Sequence, residues 1–360
     1  MLDSLYTEAI KKKNSINDNA EDIFDKTLDV NSQWNSEKII PCDNDYVLAA
    51  GDGSFNKKKF LGFNFYAVGA ESLIYTPHDD PRLRTIDSVE LDIMPQQSFM
   101  DDRLRNMMSI FEIKTAIKTF SQFDVDYYMD DGSILGDLIR PIPLDKDTPS
   151  MISNDMLKKI HETVKNEVTQ PELKISSLKF KEEFEDLFVD NKSKERALIS
   201  YLENLERLIA MKMLLANREK IIAISKTSTS NDIFHANVPD MAIFDKMTRN
   251  EGYSKPYRKK VNSEVKRDFP LFNNHFRSMW FTIVFARLEK NRNIIKIELP
   301  YHATDDEVKD ILRIIKSNST EGYPFLLKRA HNDVVIRHKD IESLSQIIEF
   351  LDRSGREMLD

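Results

Sequence analysis

The sequence predicts an α/β fold built on a mixed β-sheet, and three observations carry that prediction. Short runs rich in aromatic and β-branched residues recur through the first third of the chain. A stretch at 99–120 carries Leu104, Met107, Met108, Phe111, Thr115 and Phe120 at three- and four-residue steps, the helical period. Residues 151–217 contain no glycine and many charges, again with helical periodicity.

The elements follow in order. Residues 1–30 read as a polar helix with apolar positions Leu2, Leu5, Ala9 and Ile10. A strand at 46–50 is expected to end at Gly51-Asp52-Gly53-Ser54. The segment "KFLGFNFYAVGAESLIY" at 59–75 reads as two strands with a break near Gly69, and 85–93 as another strand. After the 99–120 helix, a strand at 123–129 ends at Asp130-Asp131-Gly132-Ser133. A short helix at 133–140 is stopped by Pro141 and Pro143. Residues 144–150 read as a linker and 151–217 as a helical insertion. Strands return at 220–225, 278–288 and 293–299, the last two as a hairpin. The tail at 305–355 holds two or three helices, one starting at Tyr323-Pro324. The expected divisions are an N-terminal helical extension (1–45), a core in two parts (46–143 and 219–300), a helical insertion (144–218) and C-terminal helices completing the site (301–360).

Bulk composition narrows the function classes. Hydrophobic residues at 41% and charged residues at 31% describe a soluble globular chain. No apolar run approaches the roughly 18 residues of a membrane helix. The N-terminus lacks a basic start followed by an apolar core, so no secretory signal is expected. Cys42 is the single cysteine, which leaves no disulfide or cysteine-based zinc site and fits a reducing cytoplasm. The net charge of −8 does not advertise nucleic-acid binding, but phosphate contacts need only a local basic patch. Such patches occur at Lys57-Lys58-Lys59, at Arg258-Lys259-Lys260 with Lys266-Arg267, and at Lys328-Arg329. Most runs of this kind are solvated faces.

The chemistry is concentrated in a repeated tripeptide. "AAGDGS" at 49–54 and "MDDGS" at 129–133 each close an apolar strand with Asp-Gly-Ser, in a chain with only nine glycines. Six of those nine fall between residues 51 and 136, which locates close backbone approach there. A lone Asp-Gly-Ser is usually a turn. Two of them, with Glu112 beside the apolar stripe of the intervening helix, describe three carboxylates facing one point. Antiparallel strands, a helix and a parallel return strand with acids at these places form a ribonuclease H-like layout. Three carboxylates together repel unless a cation sits among them. Oxygen ligands suit Mg²⁺ or Mn²⁺, which activate water and stabilise a leaving oxygen in phosphodiester hydrolysis. Asp131 is preferred to Asp130, whose side chain points to the opposite face if strand alternation continues.

Other segments weigh less. "ISKTSTS" at 224–230 lacks the glycines of a nucleotide-binding loop, so ATP binding is rejected there, while Lys226 stays a candidate phosphate contact. Tyr323 and His331 lie eight residues apart, on one helical face, with Lys328 and Arg329 between them. A histidine beside metal-binding carboxylates can be a ligand or an acid–base group.

These segments together resemble the NurA nuclease family. The resemblance rests on "AAGDGS" (49–54), "IFEIKTA" (110–116), "MDDGSILGDL" (129–138), the strand with "SKTS" (222–228), "IKIELP" (295–300) and "GYPFLLKRAH" (322–331), in the family's order. It implies metal binding by Asp52, Glu112, Asp131 and His331, with Tyr323 a further site residue. It implies a Mn²⁺-dependent deoxyribonuclease, with Mg²⁺ as the other candidate ion, that digests single- and double-stranded DNA, largely 5′ to 3′. It further implies a homodimer, a HerA-type hexameric ATPase as partner, and a role in DNA-end resection. Lys226, Lys328 and Arg329 are the candidate DNA contacts. The competing expectation is a non-catalytic nucleic-acid-binding or scaffold subunit of a translocase.

Overall fold

The structure, a computed structural model, describes residues 3–24, 28–43, 45–77, 83–96, 99–140, 152–183, 192–264 and 268–350. The linker expected at 144–150, Pro141, Pro143, Lys266, Arg267 and residues 351–355 lie outside them.

Among the described residues a ten-stranded mixed sheet forms the centre. Its strands are β1 (Trp34–Asn35), β2 (Leu48–Lys59), β3 (Phe63–Tyr75), β4 (Arg84–Pro95), β5 (Tyr127–Asp131), β6 (Ile221–Ser225), β7 (Gly252–Ser254), β8 (Tyr257–Lys260), β9 (Trp280–Arg287) and β10 (Ile295–Leu299). The spatial order is β1-β7-β9-β10-β6-β5-β2-β3-β4, with β8 paired to β9. β2, β3 and β4 are antiparallel neighbours, whereas β5 runs parallel to β2 and β6 parallel to β5. The helix α2 (Met100–Gln122) makes the crossover that a parallel return demands. The helix preceding it, α1 (Asp3–Asp22), buries none of its residues.

Two helical layers cover the sheet. On one face Ala49, Tyr128, Ile221 and Ala223 pack with Ile113 and Ala116 of α2. The other face buries Leu48, Ala50, Met129, Ile222, Ile224 and Ile297 against α9 (Asp305–Ser317) and α10 (Phe325–Val334). Central strands covered on both sides are therefore apolar at successive positions rather than alternating. Among the described residues, the remaining α-helices are α3 (Ile134–Ile139), α4 (Asn154–Glu167), α5 (Ser176–Glu183), α6 (Lys192–Leu214), α7 (Asp240–Met247), α8 (Asn273–Ser278) and α11 (His338–Ile347). The expected helical character of 151–217 is present in α4, α5 and α6. α6 is fastened to α2 by buried ion pairs, Lys114–Glu206 at 2.7 Å and Arg103–Glu203 at 2.5 Å.

Three expectations need correction. The strand expected to end at Gly51-Asp52-Gly53-Ser54 instead continues as β2 to Lys59. β3 pairs with it over that whole length, with Asp52 opposite Glu71. The break expected near Gly69 is absent, because Gly69 is paired on both sides, to Ser54 and to Val89. The chain turns instead at Leu61-Gly62, between β2 and β3. The strand expected from 123 begins at Tyr127. The short elements β1, β7, β8, α7 and α8 carry no long periodic run and had no sequence expectation.

Candidate metal centre

The centre is built where β5 stops beside β2. Parallel register sets Ala50 against Met129 and Gly51 against Asp130. One step further, Asp52 and Asp131 stand side by side on the face opposite α2. α10 approaches that face and brings His331, whose Nδ1 lies 2.7 Å from Asp52 Oδ2. Two anchors hold the C-terminal segment there. Asn56 donates to the Ile336 carbonyl at 3.0 Å, and the Ile336 N–H donates to Ser54 Oγ at 3.0 Å. Donor atoms of Asp52, Asp131 and His331 all lie within 4.8 Å of one another.

The surroundings are those of a partly buried anionic site. Asp52 is buried, and burial raises its carboxyl above the ordinary range. The charge of Asp131 adds to that rise, and hydrogen bonds from His331 and the Gly53 N–H oppose it. Lys226 Nζ sits 2.6 Å from Asp131 Oδ2, and the Tyr323 hydroxyl donates to Asp131 Oδ1 at 3.3 Å. Lys226 also lies 5.1 Å from the Tyr323 ring centroid. Burial, followed by the Asp131 charge, pushes the Tyr323 phenol far above its usual range, so it stays protonated. Two carboxylates whose mutual repulsion a cation relieves, together with an imidazole, are a fitting donor set for Mg²⁺ or Mn²⁺.

Glu112 reaches the same place from the other side of the sheet. Side chains alternate along β2, so position 53 faces α2. A Cβ there would fall 2.7 Å from Glu112 Oε1 and 2.7 Å from Met108 Cγ. Gly53 therefore clears space for Glu112 and is not a turn residue. Glu112 lies outside the close group of three, but its carboxyl is raised well above the ordinary range. Burial is the main cause, followed by the charges of Asp130, Asp137, Asp52 and Asp131.

Asp130 is the residue that sequence reasoning set aside. Its side chain does point to the opposite face, and that is the face of Glu112. Burial, then the charges of Asp137 and Asp131, push it up to about 8. The available signal was the pairing of alternation with a helix known to cover that face.

The second Asp-Gly-Ser closes its strand as expected. The Ser133 hydroxyl accepts from the Gly136 N–H at 2.9 Å, capping α3. It donates to the buried Glu298 at 2.7 Å, and Glu298 also accepts from the Leu135 N–H.

The basic candidates fall in different places. Lys226 is at the centre. Lys328 shares a cleft with Lys226, Tyr323 and His331 and pairs with Glu321 at 3.1 Å. Arg329 pairs with Asp333 at 2.6 Å on the exposed side of α10. Lys57 pairs with Asp101, Arg258 with Asp305, and Lys259 with Asp232 and Glu264. His235 and His302 are not part of the centre. No described helix is long and apolar enough to cross a membrane.

The NurA domain model matches residues 46–336. A probable DNA double-strand break repair nuclease NurA from Methanocaldococcus jannaschii is 30% identical, the match covering 93% of this chain and 88% of that protein. The crystal structure of the NurA nuclease from Sulfolobus solfataricus superposes with a TM-score of 0.74 at 24% identity, covering 97% of each chain. A crystal structure of NurA bound to dAMP and manganese gives a TM-score of 0.69 at 16% identity, covering 99% of this chain and all of that one.

Proposed function

The chain belongs to the NurA family, and we propose on that premise that it is a divalent-metal-dependent deoxyribonuclease acting in double-strand break repair. The observation that carries the proposal is the meeting of Asp52, Asp131 and His331 from two parallel strands and a C-terminal helix. Mn²⁺ is our choice of ion over Mg²⁺, supported by the imidazole among the donors and by the manganese named with a solved relative. Asp52 and Asp131 would hold it from the strands, His331 from α10, and Glu112 would add a carboxylate from behind β2. The bound ion would supply Lewis-acid polarisation of the phosphate and activation of water.

The chain's own groups prepare that chemistry. The contact with Asp52 orients the His331 imidazole. The protonated Tyr323 fixes the Asp131 carboxylate. Lys226, half exposed, can exchange Asp131 for a phosphate oxygen of DNA. Lys328 and Arg329 extend the basic surface along α10, where a phosphate would compete with their present partners Glu321 and Asp333.

The order β4-β3-β2-β5-β6 supports a ribonuclease H-like core, with the carboxylates at its β2/β5 junction. The proposed divisions remain 1–45, 46–143, 144–218, 219–300 and 301–360. Largely 5′-to-3′ digestion, a homodimer and docking on a HerA-type ATPase are part of the proposal through family resemblance.

The test is cleavage of end-labelled single- and double-stranded DNA with Mn²⁺, Mg²⁺ or EDTA, with Asp52→Ala alongside. Metal-dependent degradation lost in the variant is the expected result. Binding of DNA with no turnover under any metal, even with the cognate ATPase added, would move the chain to a scaffold role.

A further inference from the structure

Behind the metal centre lies a second cavity of about 300 Å³. Glu112, Asp131 and Ser133 line it, and so do four arginines: Arg103 and Arg105 of α2, Arg140 at the end of α3, and Arg207 of α6. Arg207 is 6% exposed. Its Nη1 donates to the Asp137 carbonyl at 2.9 Å, while its buried Nε has no hydrogen-bond partner among the described residues. An unpaired guanidinium N–H held away from water is costly, and rotation of the side chain toward an anion in the cavity would remove that cost.

Four carboxylates, Asp102, Glu112, Asp131 and Asp137, line the same cavity. Arg103 is committed to Glu203. Arg105 lies 3.4 Å from Asp102 in an exposed pair and Arg140 3.7 Å from the half-buried Asp137, each three residues apart. The exposed pair is weak and the Arg140–Asp137 pair is long, and a phosphate with three oxygens competes with both. The volume stands at the lower end of small-ligand pockets, about 300–1,000 Å³, which suits one nucleotide and not a continuing strand.

We propose that this arginine-lined cavity, walled by α6 of the helical insertion, binds the terminal phosphate of a DNA strand whose adjoining phosphodiester faces Asp131. The inference rests on the nuclease reading and deepens it: the insertion becomes the device that recognises a strand end. Arg207 and Arg140 are the residues that read the phosphate.

The experiment is fluorescence anisotropy in EDTA, where no metal-dependent cleavage occurs. It uses short single-stranded oligonucleotides with a 5′-phosphate, a 3′-phosphate or neither. One phosphorylated form should bind about tenfold more tightly than the unphosphorylated one, the size expected for a charge-assisted hydrogen bond. Which form binds more tightly identifies the end that is read. Arg207→Gln and Arg140→Ala should each bring that ratio close to one. Arg207 is buried, so its variant is scored only if its melting curve shows it folded; exposed Arg140 decides otherwise. Equal binding of all three oligonucleotides by the wild type would overturn the proposal. So would an unchanged ratio in Arg140→Ala together with any folded Arg207→Gln. Failure of Mn²⁺-dependent cleavage would strike the nuclease reading alone, since this binding comparison needs no turnover.

Discussion

The two copies of Asp-Gly-Ser share a tripeptide and almost nothing of its local structure. The copy at 52–54 lies inside a twelve-residue strand, where Gly53 admits Glu112 and Ser54 holds the segment after α10. The copy at 131–133 ends its strand, and its serine caps a helix while bonding a buried glutamate. Only the aspartates coincide, because the parallel register of β2 and β5 sets them side by side. A tripeptide thus specifies side chains, and the neighbouring elements decide whether its backbone extends or turns.

The strongest way to break this comparison is at the aspartates. Asp52→Ala and Asp131→Ala should each lower single-turnover cleavage of end-labelled DNA by about a thousandfold or more, the loss of several kcal/mol of barrier stabilisation. Circular dichroism should remain that of the folded chain. Near-normal turnover in either variant would dissolve the shared centre.

Gly53 sharpens the contrast next. Gly53→Ala places a Cβ against Glu112 and Met108 and should cost about 1–3 kcal/mol of stability. Urea unfolding measures it, and a wild-type midpoint would show that Glu112 does not lie on that strand.

The adjacent pair Asp130 and Asp131 offers a pH test. Asp130 is raised in the folded protein, so between the ordinary carboxylate range and about 8 the folded state keeps a proton that the unfolded chain has released. That contribution to stability is complete below about pH 4 and is lost as the pH rises through about 8. The metal-free protein should therefore melt at lower temperature as the pH rises across that window. Asp130→Asn should flatten the decline; an unchanged slope would remove Asp130 as its source.

The serines give the smallest effects. Ser133→Ala removes a helix cap and one partner of buried Glu298, about 2 kcal/mol together. Ser54→Ala loses one partly buried hydrogen bond, about 1 kcal/mol. Denaturant midpoints rank the two, and the reverse order would contradict their assigned contacts.

Much of the fold was legible because long apolar periods report one local geometry. The α2 stripe, β4, β6, the β9–β10 hairpin and the helical character of 151–217 were readable in that way. The region between β6 and β9 was not, since strands of three or four residues and helices of six or eight leave no sustained period. At the site, Asp52, Asp131, Tyr323 and His331 could be named from spacing and resemblance, and Glu112 from its helix. Asp130 was set aside there, since its surroundings come from the helix across the sheet.

By itself the sequence determined which residues carry acid, imidazole and hydroxyl chemistry, and which stretches favour helix or strand, because those properties belong to single residues and their near neighbours. Only the tertiary structure decided that Gly51-Asp52-Gly53-Ser54 stays extended, that Glu112 lies behind the sheet, and that Asp52 meets His331 at a sequence separation of 279. These outcomes depend on β-register and helix docking, in which distant segments exclude water together and set one another's charge.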